Sequence, residues 1–417
     1  MGMTLGLLVS AAVLLHVGME DAFNALAYGG RLMGVTLIAA ALVELVAVLA
    51  LVDYWGKRVM PYSGAAVLVG VGAVAGTNLM FLIIQIEGRE HTPFLWLWIG
   101  LALWVVWALW ELTRQNVWRG IPHPRGFALG AAVSAVVGAA SLAYSQMYVP
   151  YNTPVKVPFG VSFGKPTLSA DGSALQVPAH IEFRNSGSVR IYVVGTMWKV
   201  NGYPTKFSED DGDMSAWKND MWSYGSTLPH VIYSPSHMLG TGDITSPGSR
   251  LDPGDDFSLD ATVEVPIKSG IGRVALSANA SFIRADRCKL GNSYPESAEA
   301  SWDTDSENGK HIWDAPGWVA AQGDEFYRFH SRIYRSSEML NMTHRADYAT
   351  AWWVLPKWRE GDFFTRSGTD PYLTVAISRD PDGEEILSDS EQEPYGMKTM
   401  TQSTDRTFSQ LMEAAKK

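Results

Sequence analysis

Residues 32–52 read LMGVTLIAAALVELVAVLALV, an apolar run broken by a single carboxylate, Glu44. A membrane-spanning helix needs about 20 mostly apolar residues, because hydrocarbon offers no partner for backbone N–H and C=O groups. This stretch meets that requirement, and Gly64–Ile86, Phe94–Leu112 and Phe127–Tyr148 meet it as well. A fifth segment, Met3–Met19, is shorter and contains His16. Ala25-Leu26-Ala27 behind it has the Ala-x-Ala form of a signal-cleavage site, but no Lys or Arg precedes the apolar run. The missing basic n-region favours a retained helix over a cleaved signal. The sequence therefore predicts a bundle of five spans over residues 1–148.

Outside that region the chain has a different chemistry. Residues 1–148 hold seven Lys/Arg and seven Asp/Glu, whereas the remaining 269 hold 26 basic and 36 acidic residues, and so carry the whole net charge of −10. Such a division excludes one soluble enzyme domain, a disordered chain and a nucleic-acid binder with a basic surface. Orientation follows from Lys and Arg in short loops, which stay cytoplasmic. Lys57, Arg58, Arg114, Arg119 and Arg125 lie on one side, against Arg31 and Arg89 on the other. That places the N-terminus inside the cell and everything after Pro150 outside the cytoplasm.

Residues 257–265 read FSLDATVEV, apolar and polar in strict alternation, and Val177, Ala179, Ile181 and Phe183 repeat the pattern. Period two means one face buried and one wet, as in antiparallel sheets. Further strands are predicted at Val155–Phe163, Arg190–Val200, Arg273–Ile283, Thr350–Leu355 and Tyr372–Ile377. Asp171-Gly172, Asn185-Ser186-Gly187, Asn201-Gly202 and Asp252-Pro253-Gly254-Asp255 punctuate them as turns. The stretch Ile181-Glu182-Phe183-Arg184-Asn185-Ser186-Gly187-Ser188 resembles a strand end of bacterial Ig-like extracytoplasmic domains, and Leu251-Asp252-Pro253-Gly254 before an alternating strand is similar. The resemblance covers roughly residues 155–290 and implies an Ig-like β-sandwich without indicating a ligand. The expected organisation is a transmembrane bundle at 1–148, an extracytoplasmic sandwich at 149–299 and an extension with α/β elements at 300–417 packed on it. Within that extension, Trp318–Met342 and Thr404–Ala415 are predicted as helices and Arg379–Met400 as an exposed loop.

Few residues suggest chemistry. Glu44 sits near the middle of its span, where a carboxylate costs about 2.5–3.5 kcal/mol. It must face the bundle interior, be protonated or be paired, with His16, Asn78 or Gln85 as candidate partners. A single interhelical hydrogen bond is the simplest role, and a proton or cation site the functional alternative. Gly72/Gly76 and Gly130/Ser134/Gly138 place small residues four apart, as at close helix contacts. Asp303, Asp305, Glu307 and Asp314 partly imitate a calcium loop, but Asn308 stands at the glycine position and Asp314 replaces the bidentate Glu. Calcium is the only cofactor these residues suggest. Trp217, Trp222 and Tyr224, in a long insertion, form either a binding surface or a staple onto the sheet. Cys288 is the only cysteine, which fits a bacterial envelope protein and reads as a semi-buried thiol.

No common hydrolase or metalloprotease motif occurs. The expected function is non-enzymatic, with the acidic domain offered to a membrane or envelope protein partner and the helices to the lipid bilayer. An accessory subunit of an ion-coupled complex using Glu44 is the alternative, and an envelope hydrolase with an unrecognised site is the third.

Overall fold

The computed structural model describes residues 2–56, 62–87, 92–115, 155–207, 218, 231–233, 236–302, 315–357 and 370–416. The chain divides into two compact units. One comprises Met1–Pro154 with Asp286–Lys289 and Ile333–Ala346, and the other comprises Val155–Ala285, Leu290–Arg332 and Asp347–Lys417.

The first unit contains four helices long and apolar enough to cross a membrane: α1 (Gly2–Asn24), α2 (Tyr28–Trp55), α3 (Ser63–Glu87) and α4 (Phe94–Arg114). Each extends a stretch predicted from the sequence by a few residues. The remaining predicted span, Phe127–Tyr148, lies outside the described residues. Gly130, Ser134 and Gly138 lie outside the described residues, and in α1–α3 close contacts occur at glycines other than Gly72 and Gly76. A Cβ on Gly34 would stand 2.3 Å from the Ala22 amide nitrogen and 2.7 Å from the Gly18 carbonyl oxygen, and one on Gly70 would stand 2.2 Å from the Ala47 methyl. Among the described residues, Cβ atoms at Gly72 and Gly76 would meet nothing within 4 Å. A Cβ on Gly6 would stand 2.0 Å from the Trp104 ring, so close approaches occur between α1 and α2, α2 and α3, and α1 and α4.

The second unit is mainly antiparallel β. Its strands are β1 (Phe159–Phe163), β2 (Thr167–Leu168), β3 (Ala174–Arg184), β4 (Ile191–Phe207), β5 (Val231–Tyr233), β6 (His237–Gly242), β7 (Arg250–Leu251), β8 (Asp256–Pro266) and β9 (Ile271–Arg284). They continue with β10 (Cys288–Leu290), β11 (Glu299–Ala300), β12 (Glu325–Arg335), β13 (Asp347–Leu355), β14 (Tyr372–Ser378) and β15 (Lys398–Thr407). One sheet runs β1-β3-β2 with β8 also paired to β3, and a second runs β15-β9-β4-β5 with β6 and β7 on β4.

These two sheets share one core. The alternating residues Leu175, Val177, Ala179, Ile181 and Phe183 of β3 and Val263 and Val265 of β8 meet Val274, Leu276, Ala278, Ala280 and Phe282 of β9. The predicted turn at Asn185 closes on itself, its Oδ1 accepting from Gly187 N at 3.1 Å and its Nδ2 donating to Val189 O at 2.8 Å. A third sheet, β10-β12-β13-β14 with β11 on β12, packs against β4. The Trp353 indole donates to Thr196 O at 3.1 Å, and the Tyr294 hydroxyl donates to Val194 O at 2.7 Å.

Three expectations for the C-terminal region are corrected. Trp318–Met342 is not a helix: it holds strand β12 and then the six-residue helix α5 (Glu338–Thr343). Phe326, Arg328 and Phe329 are buried on both faces of the first half of β12, and polar Arg328 and Ser331 are buried while Tyr334 is exposed, so the residue types do not alternate with burial. Residues 404–407 are strand, and the terminal helix α7 (Phe408–Lys416) begins later, after α6 (Asp389–Gln392) within the stretch expected to be a loop. β15 pairs residue for residue with β9 from Lys398↔Phe282 to Thr407↔Arg273. Its mostly polar Thr- and Ser-rich sequence suits a half-exposed edge strand and hides it from a hydrophobicity pattern.

Candidate functional site: the polar interior of the bundle and its cap

The inward faces of the four helices are not wholly apolar. Ser10 and Asp21 on α1, Glu44 on α2, and Asn78 and Gln85 on α3 are all buried. Glu44 is fully buried, and among the described residues neither carboxylate oxygen has a hydrogen-bond partner. Ser10 approaches it from α1 without reaching hydrogen-bond geometry. His16 stands on an exposed face of α1 and does not share this interior. Asn78 Nδ2 donates to Trp98 O at 3.1 Å, while Asn78 Oδ1 and the buried Trp98 Nε1 are without partners among the described residues. Trp98 stacks on Phe81, with ring centroids 4.4 Å apart.

One end of this interior is closed by the chain itself. Residues Ser336–Thr343 lie over the end formed by the α1–α2 connection and the start of α4. Asp21 accepts from the backbone N–H of Glu338 at 2.5 Å and of Met339 at 3.3 Å, so it serves as a helix N-cap from elsewhere in the sequence. Ser337 caps the same helix locally, accepting from Leu340 N at 3.4 Å. Leu26 N donates to Ser336 O at 2.9 Å. Thr92 Oγ1 lies 3.0 Å from Met342 O and 3.1 Å from Gln85 Oε1, so its single proton is shared between them. Met339 and Met342 pack into the apolar cluster that contains Leu14, Val17, Leu37 and Phe81.

Asp21, Thr92, Ser337 and Met342 carry no functional signal in the sequence alone. Ser337 followed by Glu338 is a local helix-start signal, but nothing near Asp21 shows that its partners lie more than 300 positions away.

Other candidates stand apart. Asp303, Asp305, Glu307 and Asp314, and likewise Trp217, Trp222 and Tyr224, lie outside the described residues. Among the described residues no group of three His, Cys, Asp or Glu could hold a metal ion. Cys288 is fully buried, and burial pushes its thiol well above the ordinary range. In the β unit, buried Asp370 accepts from Asn201 Nδ2 at 2.6 Å and from Ser236 Oγ at 3.1 Å. That network ties β4 to the start of β14. Arg328 is buried against Glu299, 2.7 Å away, and over the Trp352 ring. Burial and then the Arg328 charge push the neighbouring His330 below the usual imidazole range.

No protein-family model matches the chain, and no curated protein does. Among solved structures it is similar to the ApaA protein of Bordetella pertussis, at 12% identity and TM-score 0.18, over 32% of this chain and 82% of that one. It is also similar to Spo0M, a sporulation control protein of Bacillus subtilis, at 9% identity and TM-score 0.19, over 62% of this chain and 94% of that one. Neither likeness carries an argument about fold or activity. The class defined by the chain's own features is an apolar helical bundle joined to a mainly-β region.

Proposed function

We propose that the chain is a non-enzymatic, multi-pass protein of a bacterial cell membrane that presents its acidic, Ig-like β region outside the cytoplasm for binding or assembly of an envelope complex. The observation that carries this reading is the cap. A segment far beyond the spans is built into the membrane unit, with its backbone hydrogen-bonded to Asp21, Leu26 and Thr92.

The cap also bears on orientation. α4 ends with Arg114 at the end opposite the cap, whereas the cap itself lies at the end where α1 finishes. A chain leaving α4 must cross once more to reach it, and Phe127–Tyr148 is the apolar run long enough to do so. That parity supports five spans. It also agrees with the Lys/Arg bias, which keeps the Lys57 side cytoplasmic and the capped side out.

Purification from the native membrane, with identification of what co-purifies, tests the proposal. A stable heteromeric complex that depends on residues 155–417 is expected. A lone protein with hydrolytic activity would contradict it.

A further inference from the structure

We propose that Glu44 is a proton-binding site inside the bundle, and that the cap formed by residues 336–343 controls access to it. The inference goes beyond an anchoring role and begins with what surrounds the carboxyl group. An ionised carboxylate buried without a hydrogen bond or counter-charge is too costly to persist, so the group takes up a proton. Among the described residues, the buried faces of α1, α3 and α4 offer one other titratable group, Asp21, and its oxygens are occupied by the cap. Among the described residues no cluster of His, Cys, Asp or Glu that could hold a metal ion surrounds Glu44, whereas hard cations take six or more oxygen ligands.

The route is a row of neutral polar groups on one face of α3. Asn78 and Gln85 are seven residues apart, two turns on the same side, with Val74 and Phe81 between or beside them on the buried face. The contact of Gly70 with Ala47 sets the level of α3 against α2. At 1.5 Å per residue, Asn78 stands about 7.5 Å from the Glu44 level toward the capped end, and Gln85 about 10.5 Å further. Gln85 is held by Thr92, and Thr92 is held by the Met342 carbonyl. The row therefore runs from Glu44 to the underside of the cap. The two groups left without partners along it, Asn78 Oδ1 and Trp98 Nε1, are an acceptor and a donor for entering water. When the cap lifts, water reaches the row and Glu44 exchanges its proton with the capped side.

Infrared spectroscopy of the full-length protein in lipid nanodiscs tests this. A protonated Glu44 gives a carboxylic-acid carbonyl band that Glu44→Gln removes and Glu44→Asp shifts. In D2O the band moves as the proton exchanges. The double variant Asp21→Ala/Thr92→Val removes the side-chain ties of the cap, and amide exchange over residues 333–346 reports that it has loosened. Band exchange should then be roughly tenfold or more faster than in the wild type, the scale expected for losing capping hydrogen bonds.

A second arm keeps the cap closed. A Cβ on Gly30 would stand 3.5 Å from that of Ser337, within disulfide range, and 2.7 Å from Ala25 Cβ. Gly30→Cys/Ser337→Cys in an Ala25→Gly background should exchange more slowly oxidised than reduced. Absence of a band assignable to Glu44, or equal exchange rates with the cap loosened, locked and native, would overturn the proposal.

Discussion

Gly34 shows how little room a single position in the bundle has. Its missing side chain lets α2 approach the backbone of α1 at Gly18 and Ala22. Gly34→Leu should cost at least about 1–3 kcal/mol through overpacking, read as earlier unfolding in a denaturant titration in detergent, whereas Gly72→Leu should change little. His180 shows the opposite, a residue whose value is set by charge. Across β3 and β8, His180 Nδ1 lies 2.7 Å from Asp260 Oδ1, and that hydrogen bond holds the imidazole above its ordinary range. The folded state binds the proton more tightly than the unfolded state does. Any stabilisation is therefore full below the ordinary histidine range and disappears as pH rises through the elevated value. An NMR titration should show the His180 midpoint falling in Asp260→Asn, while an unchanged midpoint would remove the pair from the account. Both residues were visible in the sequence, but their roles were not, since each depends on a neighbour that only the fold supplies.

At the scale of elements, legibility follows one-sided burial. β3 and β8 alternate because one face meets the core and the other meets solvent, and both were readable as strands. α2 was readable because almost every residue is apolar. β12 has the sequence appearance of a helix because Phe326, Phe329 and Ile333 fall at helical spacing while polar Arg328 and Ser331 are buried and Tyr334 is exposed. β15 has the sequence appearance of loop and then helix because it is an exposed edge strand, and its ten-residue register with β9 identifies it. Deleting residues 398–417 should therefore expose the β9 edge and remove Phe408, Leu411 and Met412 from the shared core. We expect the truncated protein to lose cooperative thermal unfolding of its β unit; an unchanged transition would show β15 to be dispensable. For α5, six residues are too few to hold a helix alone, so its order depends on Ser337 and Asp21. Asp21→Ala should speed amide exchange across residues 333–346 while leaving the β3–β8 amides unchanged.

At the scale of the whole molecule, an apolar helical unit closed at one end by residues 336–343 is joined to a mainly-β unit, and the proposed topology puts both the capped end and the β unit outside the cytoplasm. Composition gave the division into an apolar and an acidic part, and the Lys/Arg bias gave an orientation. The cap was not legible, because its two halves lie at opposite ends of the sequence and each is ordinary by itself. It nevertheless makes the orientation testable at described positions. In a Cys288→Ser background, single cysteines at Tyr28 and Asp256 sit on the capped side and on the β region, and cysteines at Gly56 and Gln115 sit at the other end of the bundle. An impermeant thiol reagent applied to intact cells should label Tyr28→Cys and Asp256→Cys and spare Gly56→Cys and Gln115→Cys until the membrane is opened. Labelling of Tyr28→Cys and Asp256→Cys from opposite sides would contradict the account.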